Sequence, residues 1–302
     1  MGKICVIGSV NMDLVIQTPH WPTPGETVTG SGFMTVPGGK GANQAIAASR
    51  LGGEVRMLAR VGDDAFGAQL IDNLKAAGVQ CEDVKAVEGV PSGVAVITVC
   101  EGENTIVLDP GANHSLTPED VRRFEPHIRN AEMLLLQLEV PLSVVKEAVE
   151  VAQTVQTPVL LNPAPAFQLD HDLLSRITVL TPNHGEAALL TGQQDSSAAA
   201  EQLLDALQGY GVQTVCITLG ANGITYRHGG LESEHRDAVA VDAVDTTAAG
   251  DVFSGALAVA LTEGLLFDDA AAFAQKAAAI AVTRVGATPS IPTRAEVESF
   301  NV

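Results

Sequence analysis

The chain has 302 residues, 46% of them apolar, and 17 basic against 36 acidic side chains, a net charge of −19. That length and apolar content can bury a substantial core in one or two domains. The acidic balance argues against a nucleic-acid partner, because phosphate backbones recruit clusters of Lys and Arg. Four cysteines, Cys5, Cys81, Cys100 and Cys216, lack Cys-x-x-Cys spacing and read as small buried thiols in a reducing compartment.

The first apolar run, 4–10, reads as a strand. It is too short for the apolar part of a signal peptide, and Asn11 and Asp13 end it. Val6 stands where myristoylation at Gly2 would need Ser or Thr. Residues 12–35 follow as short alternating strands with turn residues and no helix. Pro37-Gly38-Gly39-Lys40-Gly41-Ala42-Asn43 then opens a helix over 42–51, with Ala45, Ile46, Ala48, Ser49 and Leu51 at helical spacing. This cluster is not a P-loop, since Met34 and Gly41 occupy the deciding positions. Nor is it a dinucleotide fingerprint, since Gln44 stands where the third Gly belongs. Glycines 38, 39 and 41 let a ligand approach the backbone, and Asn43 offers a bidentate amide. A plain strand-to-helix turn explains the cluster as well.

Further apolar runs at 55–61, 133–138, 158–161, 178–181 and 214–219 read as strands. Helical patterns lie at 65–77, 142–154, 184–191 and 197–208. The alternation predicts an α/β fold with a mostly parallel central sheet covered by helices on both faces. Residues 90–109, like 12–35, carry alternating strands (Val94, Val96, Thr98; Thr105, Val107) without a helix. Both segments are expected to form a small separate β-sheet, so the expected organisation is one α/β domain over 1–302 with two lid segments. Asn113-His114-Ser115 is formally a glycosylation sequon and carries no weight without a secretory signal. Gln275 and Lys276 interrupt the apolar run 270–282, which reads as a buried helix, not a membrane span. The cytoplasm is the expected location.

The segment Asp245-Thr246-Thr247-Ala248-Ala249-Gly250-Asp251 leads into an apolar helix from Val252 to Leu261. Small residues at 248–250 let N–H groups crowd at a helix N-terminus, where they bind anions such as phosphate. Asp251, in the same first turn, is placed to accept a proton from a hydroxyl brought beside the anion. An anion cradle with a proton acceptor is what phosphoryl transfer to an alcohol needs. The alternative is an acidic first-turn residue that only complements the helix dipole. Ser-hydrolase and zinc-protease motifs are absent from the sequence.

Gly38-Gly39-Lys40-Gly41-Ala42-Asn43 resembles the N-terminal signature of the ribokinase-like (PfkB) family of carbohydrate and nucleoside kinases. Asp245 to Asp251 resembles its C-terminal signature, and Thr181-Pro182-Asn183-His184-Gly185-Glu186 carries its Asn-x-x-Glu element. The likeness runs from Val6-Ile7-Gly8-Ser9 to Gly286-Ala287-Thr288-Pro289-Ser290. Two departures stand out. Ala248 replaces a common Gly, and Gly220-Ala221-Asn222-Gly223 lacks side chains that many members direct at the nucleotide, leaving backbone contacts there.

The resemblance implies an ATP-dependent sugar kinase that converts D-ribose to D-ribose 5-phosphate. Other acceptors (2-deoxyribose, a ketohexose, a nucleoside) or a sugar-binding regulator without catalysis are the alternatives. It assigns Asn11, Asp13, Gly39, Lys40, Gly41, Asn43, Glu139 and Asp251 to the sugar, under a lid formed by the two helix-free segments. Asp251 would be the base, with the N–H groups of Ala248, Ala249 and Gly250 stabilising the transferring phosphoryl group. Asn183, Thr218, Leu219, Gly220, Ala221, Asn222, Gly223, Gly250 and Gln275 would meet ATP, and Asn183 and Glu186 would act on Mg²⁺ through water. Lys40 also reads as a solvated turn lysine, Glu186 as an exposed first-turn residue and Gln275 as a core-facing one. A monovalent cation, K⁺ or similar, is expected at Asp245, Thr247, Ala281, Arg284, Gly286 and Ser290. A homodimer is implied through the lid, with Val28, Phe33, Met34, Val94 and Val96 as candidate contacts; these could also pack within their own chain.

Overall fold

The computed structural model describes residues 2–193 and 198–300. Its first half runs β1 (Lys3–Ile7), β2 (Asn11–Gln17), β3 (Ser31–Gly38), α1 (Lys40–Arg50), β4 (Glu54–Gly62), α2 (Ala65–Ala76), β5 (Gln80–Val87), β6 (Gly93–Cys100) and β7 (Glu103–Asp109). Next come α3 (Pro118–Arg129), β8 (Met133–Leu136), α4 (Leu142–Val155), β9 (Val159–Leu161), α5 (His171–Leu174), β10 (Val179–Leu180), α6 (His184–Leu190) and α7 (Ala200–Gly209). The chain ends with β11 (Thr214–Thr218), β12 (Ile224–His228), β13 (Glu234–Arg236), α8 (Ala249–Thr262), α9 (Phe267–Val282) and α10 (Arg294–Ser299).

Among the described residues the main sheet has nine strands in the order β13-β12-β11-β10-β9-β8-β1-β4-β5. Pairing is parallel from β11 through β5, and β12 and β13 add an antiparallel edge. The side chains explain the two helical layers. Along β1, Ile4 and Val6 join one apolar core while Cys5 and Ile7 join the other; along β8, Met133 and Leu135 part from Leu134 and Leu136 in the same way. A strand apolar on both sides needs cover on both sides. Helices α1, α2, α8 and α9 supply one layer, and α3, α4, α6 and α7 the other.

The helix-free segments form a second sheet of four strands, β3-β2-β6-β7. Its root packs on the main core through Met12, Leu14 and Val94. Val94 is therefore not a free lid residue, which corrects the expectation for that position. The register pairs Met12 with Val94, Leu14 with Val96 and Val96 with Val107, so these side chains share one face. Asp13, Val36 and Ala95 share the other. Phe33, Met34, Val96, Ile106 and Val107 remain exposed, while Val28 is half-buried in the loop between β2 and β3.

Each expected strand and helix has a counterpart within a few residues, although position 197, the expected start of α7, lies outside the described residues. Not anticipated were β5, α3, α5, β12, β13 and α10. Helix α3 carries Pro126 within it, which masks its pattern, yet its start is marked: Pro118 opens it, and Thr117 and Asp120 cap each other's backbone N–H. All four cysteines are buried free thiols, and burial pushes Cys5 up to about 12. No helix among the described residues is long and apolar enough to cross a membrane.

Candidate active site

Helices α1 and α8 cross where Gly255 leaves room: a Cβ added there would lie 2.8 Å from both Gln44 O and Ala47 Cβ. Lys40, Asn43 and Gln44, spaced i, i+3 and i+4, share a face of α1. Asp251 sits in the first turn of α8. Asn43 Nδ2 donates to Asp251 Oδ2 and Gln44 Nε2 to Asp251 Oδ1, each at 3.1 Å. Asp251 is only 5% exposed, and a buried carboxylate requires such donors. Asn43 Oδ1, also buried, has no partner among the described residues and remains an acceptor for a bound hydroxyl.

Beside this crossing lies a polar cluster built around the loop after β1. Glu139 Oε2 accepts from Ser9 Oγ at 2.5 Å, Lys40 N at 3.1 Å and Asn11 Nδ2 at 3.4 Å. Asn113, the residue of the sequon, is buried: its Nδ2 donates to Asn11 Oδ1 at 2.7 Å and its Oδ1 accepts from Val10 N at 2.9 Å. Asn11 is thus held from two sides. Asp13 lies under Gly38, where an added Cβ would fall 2.3 Å from Asp13 Oδ2. Burial pushes the Asp13 carboxyl up to about 7, helped by the charges of Glu139 and Asp251 and opposed by Lys40. For Lys40, burial disfavours the charge, but Asp251, Glu139, Glu186 and Asp13 outweigh it and hold the ammonium above its ordinary range. Lys40 is half-buried among these carboxylates, not a fully solvated turn lysine.

The glycines of the first cluster serve the chain's own packing. Gly39 has φ 91°, and a Cβ there would fall 2.7 Å from Asn11 N; at Gly41 it would fall 2.5 Å from Ser9 N. Only residues without side chains let α1 start so close to the end of β1.

On the other side of the α8 N-terminus opens an apolar cleft of about 420 Å³, lined by Thr218, Gly220, Ala221, Gly223, Ala249, Gly250 and Gln275 among others. Leu219 packs on the second core and the Asn222 side chain does not line the cleft, so this segment offers the nucleotide only its backbone at those two positions. Gln275 Nε2 donates to Asp237 O at 3.1 Å, so this buried amide braces a cleft wall. Helix α8 lacks a side-chain cap, and its N-cap Ala248 has φ 61°. That conformation costs an L-residue roughly 1–2 kcal/mol, which explains why Gly is the easier residue there. Ala249 N donates across the turn to Thr246 O at 3.3 Å. The N–H groups of Ala248, Gly250 and Asp251 meet no backbone acceptor among the described residues.

Asn183 and Glu186 cap one another at the start of α6: Asn183 Oδ1 accepts from Glu186 N, and Glu186 Oε2 from Asn183 N, each at 2.8 Å. Asn183 also bridges to Thr218 at the cleft. Burial holds the Glu186 carboxyl above its ordinary value, against the Asn183 N–H bond and the Lys40 charge, with Asp251 reinforcing the rise. One carboxylate oxygen of Glu186 stays clear of the cap. A carboxylate oxygen left free in this way suits a hydrated Mg²⁺.

Asp245 ties two loops together. Its Oδ1 accepts from Thr247 N at 2.9 Å and its Oδ2 from Gly286 N at 2.8 Å. Burial would raise it, but bonds from Thr247 and from the N–H groups of Gly286 and Thr247 keep it below the usual carboxylate range. The Arg284 guanidinium turns away to Glu296 at 2.6 Å. An ionised carboxylate at this turn, with the Arg284 guanidinium turned outward, is compatible with a large monovalent cation. Ala281 O accepts from Arg284 N at 3.0 Å, and buried Ser290 donates through Oγ to Ala287 O at 2.8 Å.

An uncapped helix N-terminus set between an apolar cleft and a carboxylate-and-amide chamber is the geometry of transfer from a nucleotide to an alcohol. The pfkB family carbohydrate kinase model matches residues 1–294, so the chain belongs to that family and is a phosphotransferase with an alcohol acceptor. It is 45% identical to a ribokinase of Schizosaccharomyces pombe, over 100% of this chain and 99% of that one. It is 37% identical to a deoxyribokinase of Salmonella typhimurium, over 99% of this chain and 97% of that one. The structure of Arabidopsis thaliana ribokinase complexed with ribose and ATP superposes with a TM-score of 0.89 at 31% identity, covering 99% of both chains.

Sequence reasoning overlooked Gln44, Asn113 and Ser9. Gln44 carried a signal: it stands one turn after Lys40 and beside Asn43. Asn113 and Ser9 carried none, because their partners lie about a hundred residues away in sequence.

Proposed function

We propose that the chain is a ribokinase, one α/β kinase unit with a β-lid, transferring the γ-phosphoryl group of ATP to O5 of D-ribose. The observation that carries this reading is the buried Asp251 carboxylate, held by Asn43 and Gln44 between sugar chamber and nucleotide cleft. The sugar rests on Asn11, Asp13, Asn43 and Glu139, with Lys40 and the backbone of Gly39 and Gly41 closing the chamber. As O5 attacks the γ-phosphorus, Asp251 takes its proton, the bond to the bridging oxygen breaks, and ADP leaves. A loose transition state asks for little early deprotonation, so an ordinary carboxylate suffices. Free N–H groups of Ala248, Gly250 and Asp251 stabilise the charge on the transferring oxygens.

The adenine side of ATP lies in the apolar cleft between Gly220–Gly223 and Gln275. Mg²⁺, held through water by Asn183 and Glu186, neutralises phosphate charge when bound. Asp245, with the carbonyls of Thr247, Ala281, Arg284 and Gly286 and with Ser290, would hold a monovalent cation, which would order the turn before α8. The exposed Phe33, Val96 and Val107 support a homodimer through the lid, which sedimentation of wild type and Val107→Asp would test. We place the enzyme in the cytoplasm, in keeping with its free thiols.

A panel of pentoses, hexoses and nucleosides with ATP and Mg²⁺ tests the reading, with ribose giving the highest kcat/KM. The second reading, 2-deoxyribose as acceptor, is favoured by the similarity to a deoxyribokinase. A chamber built to bond a hydroxyl rejects the deoxy analogue by on the order of 10⁴-fold. Near-equal use of the two pentoses, or a higher value with fructose or adenosine, overturns the ribose assignment.

A further inference from the structure

Asp251 does not stand on Asn43 alone. Gln44 is fully buried, and its amide meets three buried partners: Nε2 donates to Asp251 Oδ1 at 3.1 Å and Asn162 Oδ1 at 3.2 Å, and Oε1 accepts from Gln137 Nε2 at 2.6 Å. Asn162 is fixed in turn by donating to Thr181 O at 2.9 Å. Gln137 and Asn162 follow the ends of β8 and β9, and the Thr181 carbonyl follows β10, so the rigid sheet sets where the two amides point.

Their polarity follows from the carboxylate. An ionised Asp251 only accepts, so Gln44 must turn its NH₂ group toward it. Gln44 Oε1 then faces Gln137, which must answer with its own NH₂ group. That leaves Gln137 Oε1 buried without a partner among the described residues, pressed against Gly8, where an added Cβ would fall 2.1 Å away. An orphaned acceptor is costly, and two apolar side chains would fill the same space without it. The amide pair is thus a poor device for packing and a good one for orienting an anion.

We propose that Gln44, backed by Gln137, is a positioning residue for phosphoryl transfer: it pins Asp251 Oδ1 so that Oδ2, shared with Asn43, stays presented to the acceptor hydroxyl as a proton acceptor. This rests on the reading of Asp251 as the base. Asn43, Gln44 and Gln137 thereby divide the work, the first touching substrate and carboxylate, the other two acting only through Asp251. Removing the Gln44 donor leaves the carboxylate with one side-chain bond in a buried site, which disfavours its charge.

The test is the pH profile of kcat, between about pH 5 and 9, with chemistry established as the slow step. Lys40, Asp13 and Glu186 also face Asp251 and are unchanged in every variant, so a difference from wild type reports the amide. Gln44→Leu should lower kcat about 10–100-fold, leave the KM for ATP unchanged, and move the acid limb up by about one pH unit. Gln137→Leu should move the limb the same way by less, and the double variant should be no worse than Gln44→Leu. An acid limb that stays in place in both single variants overturns the proposal, even if kcat falls. If Gln44→Leu does not fold, Gln137→Leu decides by the same criterion. Asp251→Asn separates the two ideas: retained kcat there overturns the base reading, whereas a collapse with unmoved limbs at 44 and 137 overturns only the positioning role.

Discussion

Asn43 and Asp251, 208 positions apart, meet at 3.1 Å across the crossing of α1 and α8. The two glycine-bearing segments of the sequence are therefore one site. Each helix brings its first turn to the junction: α1 contributes amides and α8 contributes a carboxylate with free N–H groups. Neither segment is a site by itself.

Replacing Asp251 with Asn keeps size and hydrogen-bonding reach but removes the proton acceptor. General-base contributions are ~10²–10⁴-fold, so kcat should fall by at least about two orders of magnitude. The KM for ATP should hardly move, because in the proposed reading the phosphates would meet N–H groups and Mg²⁺ and not this carboxylate. Steady-state and single-turnover kinetics check this. A variant that kept most of its kcat with chemistry rate-limiting would reduce Asp251 to a helix-dipole partner.

The crossing itself can be tested at Gly255. A methyl group there would sit 2.8 Å from Gln44 O and Ala47 Cβ, so α1 and α8 must part. Overpacking of this kind costs about 1–3 kcal/mol. Gly255→Ala should lower the midpoint of thermal unfolding and also kcat, since Asn43 and Gln44 retreat from Asp251. Stability and activity both at wild-type level would show that the close approach is not needed.

Asp13 makes a pH prediction with a definite sign. Its folded value of about 7 lies above the ordinary 3.8, so the folded state holds a proton that the unfolded chain has released. This group's contribution to stability is greatest below its unfolded value, falls as pH rises through the interval up to its folded value, and levels off above. Asp13→Asn removes the cost, so the variant should be more stable than wild type at pH 8, on the order of a few kcal/mol, and about equal below pH 4. The KM for ribose should rise. Thermal unfolding of both proteins across this range decides, and a stability difference independent of pH would contradict the buried charge.

Asp245 predicts cation dependence. Its carboxylate joins the anion-binding turn to the loop after α9 through Thr247 N and Gly286 N. Activity should be higher in K⁺ than in Na⁺ at matched ionic strength, and Asp245→Asn should erase the difference. Equal wild-type rates in K⁺, Na⁺ and a bulky organic cation would leave Asp245 a structural clamp.

Local order in the chain was sufficient for the layers of this protein. Short continuous apolar runs and a helical period near four, punctuated by Gly and Pro, mark β1, β4, β8 and β11 and the helices between them, because a strand buried on both sides is apolar throughout and a helix is apolar on one face. The same local chemistry exposed Asp251 as an acid at an uncapped helix start and Asn43 as an amide after a glycine turn. What tertiary structure alone decided is how those groups meet. Gln44 has no visible partner in the sequence until Gly255 brings α8 against it, and Asn113 reads as a sequon until the fold buries it against Asn11. Asp13 becomes a group that titrates near neutrality only because burial and the carboxylates of Glu139 and Asp251, from distant parts of the chain, surround it. Val94 likewise alternates like a free lid residue and is claimed by the core. Periodicity is a property of adjacent residues, whereas burial, charge coupling and hydrogen-bond partnership arise from segments that only folding makes neighbours.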